Sequence, residues 1–177
     1  MVRHPLQRLA SPSRTVSLLL HVIGLGCFTA SFRWLSQFEH PITEAFGGHF
    51  QFLTNIGLIL AALTFASGLL ADLTGIEGLF LVKNAFSVCS APLEVLISLL
   101  YWGIRAIDKK LIIPDGFQLD FLPDIGFHLV PAVMLTLDLL LLSPPWTVTA
   151  YSAMSLSMVL AFLYWGWVEF CFSKNGW

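Results

Sequence analysis

The chain has 177 residues, of which 56% are hydrophobic and only 11% charged, with a mean hydropathy of +0.79. A water-soluble domain carries about 25% charged residues, and nine basic plus eleven acidic side chains cannot cover the surface of one this size. Disorder is excluded by the same apolar excess, and a net charge of −2 gives no electrostatic footprint for nucleic acid. What remains is an all-α, polytopic membrane bundle.

A spanning helix needs about 20 mostly apolar residues. Five stretches meet this: 16–35, 50–71, 86–107, 125–142 and 147–172. The first follows a basic tail (Arg3, Arg8, Arg14) and resembles a signal peptide, but its length and the lack of a small-residue cleavage site make it a retained signal-anchor helix. Of the charged residues only Arg33, Glu94, Arg105, Asp138 and Glu169 fall inside the five stretches. Arg33 and Arg105 lie at ends, where long side chains reach the interface. The intervening segments carry turn chemistry: Glu39-His40-Pro41 with Gly47-Gly48, Asp72 to Gly75 with Gly78, a longer loop from Asp108 through Pro114-Asp115-Gly116 to Pro123-Asp124, and Ser143-Pro144-Pro145. With no internal repeat, residues 1–177 read as a single membrane-embedded domain. The basic tail favours a cytoplasmic N-terminus, although Lys/Arg counts in the loops are nearly balanced, with Lys83 on the N-terminal side and Arg105, Lys109 and Lys110 on the other.

Five alternating spans put the start of the second and fourth helices, and the end of the first, third and fifth, at one membrane face. Thr54 lies about four residues into the second and His128 about three into the fourth, so a rise of 1.5 Å per residue sets both about 5 Å below that face. Glu169 and Arg105 reach the same level, with Gln51, Asn55, His49 and Asp124 nearby. A hydroxyl, an imidazole and a carboxylate at one depth are the parts of a nucleophile, a base and an orienting group. The plain alternative is that Thr54 bonds the carbonyl four residues back, as threonines in membrane helices do. Thr54, Gly57, Ala61, Thr64 and Gly68 form one narrow face of small residues suited to close helix contact. Pro131 removes a backbone donor beside His128 and predicts a kink, and Pro92 predicts another in the third span. Glu94 and Asp138 lie near mid-membrane, where carboxylates are costly. They point either to a proton or cation path or to structural hydrogen bonding.

Cys27, Cys89 and Cys171 sit singly in apolar runs and read as buried thiols. No zinc-binding histidine spacing, phosphate loop or hydrolase elbow occurs, so no metal or cofactor is expected. His21 lies about 17 Å in depth from His128, too far for the two to share one haem iron.

Three segments resemble the androgen-induced-gene (FAR/AIG-like) integral membrane proteins, most closely their fungal branch. These are Gly-Gly-His-Phe-Gln-Phe-Leu-Thr ending at Thr54, then Ser90-Ala91-Pro92 with Tyr101-Trp102-Gly103-Ile104-Arg105-Ala106-Ile107-Asp108 and Pro114, and finally Asp124-Ile125-Gly126-Phe127-His128 with Pro131, Asp138 and the closing Asn175-Gly176-Trp177. The resemblance covers residues 47–177. Members usually have six spans and continue past Asn-Gly-Trp into a further helix; this chain has five and stops at Trp177.

The resemblance implies a threonine hydrolase of fatty acid esters of hydroxy fatty acids. Its nucleophile falls on Thr54 and its histidine on His128. Asn55 and Gln51 are then candidate oxyanion donors, and Asp124 or Glu169 a candidate partner for the imidazole. Expected partners are membrane lipids and a lipid-ester substrate, with self-association through an open side of the bundle. The expected location is integral to the endoplasmic reticulum, another endomembrane or the plasma membrane. The competing expectations are a small proton-coupled carrier using Glu94 and Asp138 and a membrane scaffold without chemistry.

Overall fold

The computed structural model describes residues 6–37, 41–112, 120–145 and 149–176; Arg3, Glu39-His40, Pro114-Asp115-Gly116, Thr147 and Trp177 lie outside the described residues. The described elements are all helical: α1 Val16–Leu35, α2 Pro41–Glu44, a 3₁₀ turn Gly48–Gln51, α3 Leu53–Thr74, α4 Glu77–Ile107, a 3₁₀ turn Lys109–Leu111, α5 Phe121–His128, α6 Val130–Leu141 and α7 Ala150–Asn175. Five segments are long and apolar enough to span a membrane, with α5 and α6 together forming the fourth.

The helices are sorted by what lipid rejects. On α1 the buried residues are Ser17, His21, Gly24, Phe28 and Ser31, a stripe at three- and four-residue intervals, while Leu19, Val22 and Ile23 face outward. On α3 the small-residue face is buried as its spacing predicts, from Gly57 through Ala61 and Thr64 to Gly68. Each glycine there admits a large neighbour. A Cβ on Gly68 would run into the His21 imidazole, and one on Gly57 into the Glu94 carboxyl and Ile97. The core between these faces is Phe28, Leu58, Phe65, Phe127, Met134 and Leu135, with Phe65 edge-on to both His21 and Phe28 at 5.2 Å.

α3 ends at Gly75, whose φ of +70° lets its N–H turn back to the Ala71 carbonyl at 2.7 Å. Only Gly75 and Ile76 separate α3 from α4. Here the sequence reading is corrected. The second span runs 53–74 instead of 50–71, and the third begins at Glu77, nine residues before the expected 86. Asp72 and Lys83 suggested a loop, but each is buried and paired inside the bundle. Lys83 therefore drops out of the loop-charge count. At 31 residues α4 is about 46 Å long, well beyond the ~30 Å hydrocarbon core. Pro92 sits within it, exposed, without dividing it.

The fourth span covers Phe121–Leu141 instead of 125–142 and is broken at Leu129, where φ is −131° and ψ is −48°. Pro131, in the first turn of α6, has no N–H to return to Phe127, which is why the ladder stops there. The fifth span is Ala150–Asn175 instead of 147–172. It stands largely apart from the other helices and docks by its second half. Trp167 Nε1 donates to the Phe50 carbonyl at 2.9 Å, Tyr164 Oη donates to the Gln51 carbonyl at 2.8 Å, and the Asn175 side chain pairs with the Phe46 backbone.

Gly68→Val should lower unfolding stability in detergent micelles by about 1–3 kcal/mol, the usual cost of overpacking. Gly103→Val, at a position where a Cβ meets nothing, should leave it nearly unchanged.

Candidate active site

Asp124 and His128 lie one turn apart on α5. His128 Nδ1 is 3.1 Å from Asp124 Oδ1 and 3.1 Å from the Asp124 carbonyl. Both are acceptors, so Nδ1 carries the proton and, in the neutral ring, Nε2 keeps its lone pair. Asp124 is itself held from α4. Tyr101 Oη donates to Oδ1 at 2.5 Å, and the Arg105 guanidinium pairs with Oδ2. The His128 ring lies flat on Tyr101, with centroids 3.5 Å apart and planes 1° from parallel. Trp102 Nε1 donates to the His128 carbonyl at 3.2 Å, which the break at Leu129 leaves without a helical partner. Asp124 is 1% exposed and His128 half-buried. The imidazole is thus fixed in plane, height and tautomer, with Nε2 pointing away from its partner.

Thr54 is the second residue of α3, half-buried. The i−4 bond expected of a membrane threonine is made by Thr64, Thr74 and Thr136, and by Ser67. Thr54 does not make it. Its fourth predecessor is Phe50, which lies in the 3₁₀ turn beyond the extended Phe52 (φ −94°, ψ 124°), so no helical carbonyl stands one turn below Thr54. Depth along α4 relates the two residues. Gly57 abuts Glu94 and Ile97, so Thr54, one turn earlier on the antiparallel α3, comes level with the segment leading to Tyr101, on which His128 stacks. α3 packs against both α5 and α6. Among the described residues no hydrogen bond joins Thr54 to His128.

The remaining candidates separate. Asn55 is buried and donates to the His49 carbonyl at 2.8 Å. Gln51 donates to the Gly48 carbonyl at 3.3 Å and accepts from Asn175 at 3.5 Å. Both brace the chain that leads into α3. Glu169 is exposed on α7, so of the two carboxylates proposed for the imidazole it is Asp124 that contacts it. Sequence reasoning missed the parts played by Tyr101 and Trp102, and had Arg105 only as a residue at the right depth. The available signal was the four-residue spacing of Tyr101 and Arg105, matching that of Asp124 and His128.

A second polar cluster lies at the opposite end of the bundle. His21 Nδ1 is 2.7 Å from Asp72 Oδ2 and its Nε2 3.1 Å from Asp138 Oδ1. Lys83 Nζ donates to both Asp138 oxygens, at 3.0 and 2.7 Å, and to Ser143 Oγ at 2.8 Å, so all three of its protons are placed. Ser17 Oγ and the Ser13 N–H donate to Asp72 Oδ1. Asp138 therefore belongs with His21 and Lys83 and is not joined to Glu94.

These features define a multi-span membrane bundle with an oriented histidine on α5 and, at the start of α3, a threonine hydroxyl without a hydrogen bond among the described residues. The profile of the FAR-17a/AIG1-like proteins matches residues 16–177, and the chain belongs to this family. It is 33% identical over 170 residues to a UPF0641 membrane protein of Schizosaccharomyces pombe, an alignment covering 93% of this chain and 75% of the yeast protein. It is an integral membrane protein. No solved structure matches it.

Lys83→Met should cost about 3–5 kcal/mol by stranding the Asp138 charge. Lys83→Met with Asp138→Leu should cost less than the sum of the two single changes, read as a double-mutant cycle in denaturant unfolding.

Proposed function

We propose that this membrane protein is a lipid-ester hydrolase with Thr54 as nucleophile and His128 as general base. The observation that carries the reading is the fixed Asp124–His128 pair, which leaves Nε2 as the basic nitrogen at the depth of a threonine hydroxyl freed from the usual backbone bond.

In the reaction Nε2 takes the Thr54 proton as Oγ1 attacks the ester carbonyl. The alcohol leaves with the proton from His128, and the acyl-threonine is then cleaved by water activated by the same nitrogen. Asp124 holds the imidazole through the cycle and offsets the charge it acquires. In the first turn of α3 the Leu53 N–H is taken by Tyr164 Oη and those of Asn55 and Ile56 by the Phe52 carbonyl, so the N–H of Thr54 itself, at the positive end of the helix, is the backbone donor assigned to the oxyanion.

The substrate class follows from the family resemblance: fatty acid esters of hydroxy fatty acids, entering from the lipid of an endomembrane or the plasma membrane. A cleft of about 180 Å³ between α4 and α6 suits sideways entry of an acyl chain. It is lined by Val95, Ser98, Leu99, Leu129 and Val133 among others, and Leu129 is the residue next to His128.

The test is labelling of the full chain in membranes with a fluorophosphonate probe. Wild type should label, and Thr54→Ala and His128→Ala should abolish it at matched protein level. Asp124→Asn should slow it by about 10²–10⁴-fold, the worth of a positioned base. A folded wild type that never labels sinks the hydrolase reading.

Filling the cleft with Val133→Trp should raise KM for long-chain esters while leaving a short-chain ester unaffected. This is measured by comparing kcat/KM for the two.

A further inference from the structure

α4 presents a polar residue to the bundle at nearly every turn. Lys83 stands at one end and Arg105 at the other, with Ser87, Ser90, Glu94, Ser98 and Tyr101 between them at three- and four-residue steps. All but Arg105 are buried. The 22 steps from Lys83 to Arg105 span about 33 Å, close to the ~30 Å hydrocarbon core. Each end of the stripe enters an ion cluster, Asp138–His21–Asp72 at Lys83 and Asp124–His128 at Tyr101 and Arg105. Glu94 is eleven residues from either end.

The middle of the stripe is unsatisfied. Glu94, 1% exposed, has an Oε1 with no hydrogen-bond partner among the described residues, and so do Ser87 Oγ and Asn84 Oδ1. Between them Ser90 Oγ is paired with Thr64 Oγ1 at 2.9 Å. Facing Glu94 from α3 is Gly57, which has no side chain to meet it. The nearest charged groups facing the stripe from α1, α5 and α6 are those of the two end clusters. A bare polar atom at this depth costs several kcal/mol, and buried polar atoms in native proteins are met by protein or by water. Ser87 and Glu94 are about 10 Å apart along the axis, a gap that direct bonds cannot bridge and water can.

We propose that the inner face of α4 is a hydrated proton path joining the two ion clusters, with Glu94 as its mid-membrane station. Each hop breaks one O–H bond and forms one along a hydrogen bond. The Glu94 carboxyl releases its proton to water on one side and takes one from water on the other. No bond to carbon changes. Net transfer is one proton in at one face and one out at the other, balanced by a counter-ion. This activity is independent of Thr54 chemistry.

The test uses the full chain in liposomes loaded with pyranine, with a potassium gradient and valinomycin supplying the driving force and the counter-ion. Wild type should acidify the lumen about tenfold faster than protein-free vesicles, as an intramembrane acid on a conducting path implies. Glu94→Gln and Ser87→Leu should fall to the protein-free rate, and Thr74→Ala, outside the stripe, should keep the wild-type rate. Should Glu94→Gln fail to fold, Ser87→Leu carries the same reading. Wild-type flux no faster than protein-free vesicles overturns the proposal and leaves the water as structural filling. A folded Glu94→Gln at the wild-type rate overturns it too.

Discussion

The ion pair of Lys83 with Asp138 ties the third span to the fourth, and His21 and Asp72 extend it to the first and second. In lipid there is no apolar reward for bringing helices together, because the tails are as apolar as leucine. What lipid does enforce is that charge and unpaired backbone be hidden. Four groups from four spans meet that demand only in each other's company. One glycine of α3 follows from this: Gly68 has to be glycine-sized for His21 to reach both carboxylates.

At the other end the determining event is a break, not a bond. Pro131 stops the ladder of the fourth span and Leu129 takes up the turn. The freed His128 carbonyl is then claimed by Trp102, its ring by Tyr101 and its Nδ1 by Asp124. Two residues of α5 are thereby locked to α4 by several independent contacts, a preorganised arrangement of the sort general-base chemistry needs. α7 contributes indirectly, since Trp167 and Tyr164 hold the Phe50 and Gln51 carbonyls of the turn that leads into α3.

Much of this is legible from composition and spacing. The number of spans, the buried small-residue face of α3 from Gly57 to Gly68 and the break near Pro131 all follow from apolar run length, helical periodicity and proline's missing N–H. The largest departure has one cause. A window of sequence reads charged residues near a helix end as loop, because it cannot see a partner in another span. Asp72 and Lys83 were misplaced for that reason, and the third span was cut nine residues short. Glu94 and Asp138 share a depth near mid-membrane in the sequence but have different neighbours: Asp138 faces Lys83 and His21, and Glu94 faces Gly57.

Sequence alone determined that the chain is a helical membrane protein with five spans and about where each lies, because that depends only on hydropathy and run length. Tertiary structure decided which polar groups meet. It chose Asp124 over Glu169 as the partner of His128, set His21 between two carboxylates, and left Glu94 Oε1 without a partner among the described residues. Such pairings depend on the azimuth of each helix about its axis, which small-residue contacts and the break at Leu129 fix and which no local pattern encodes.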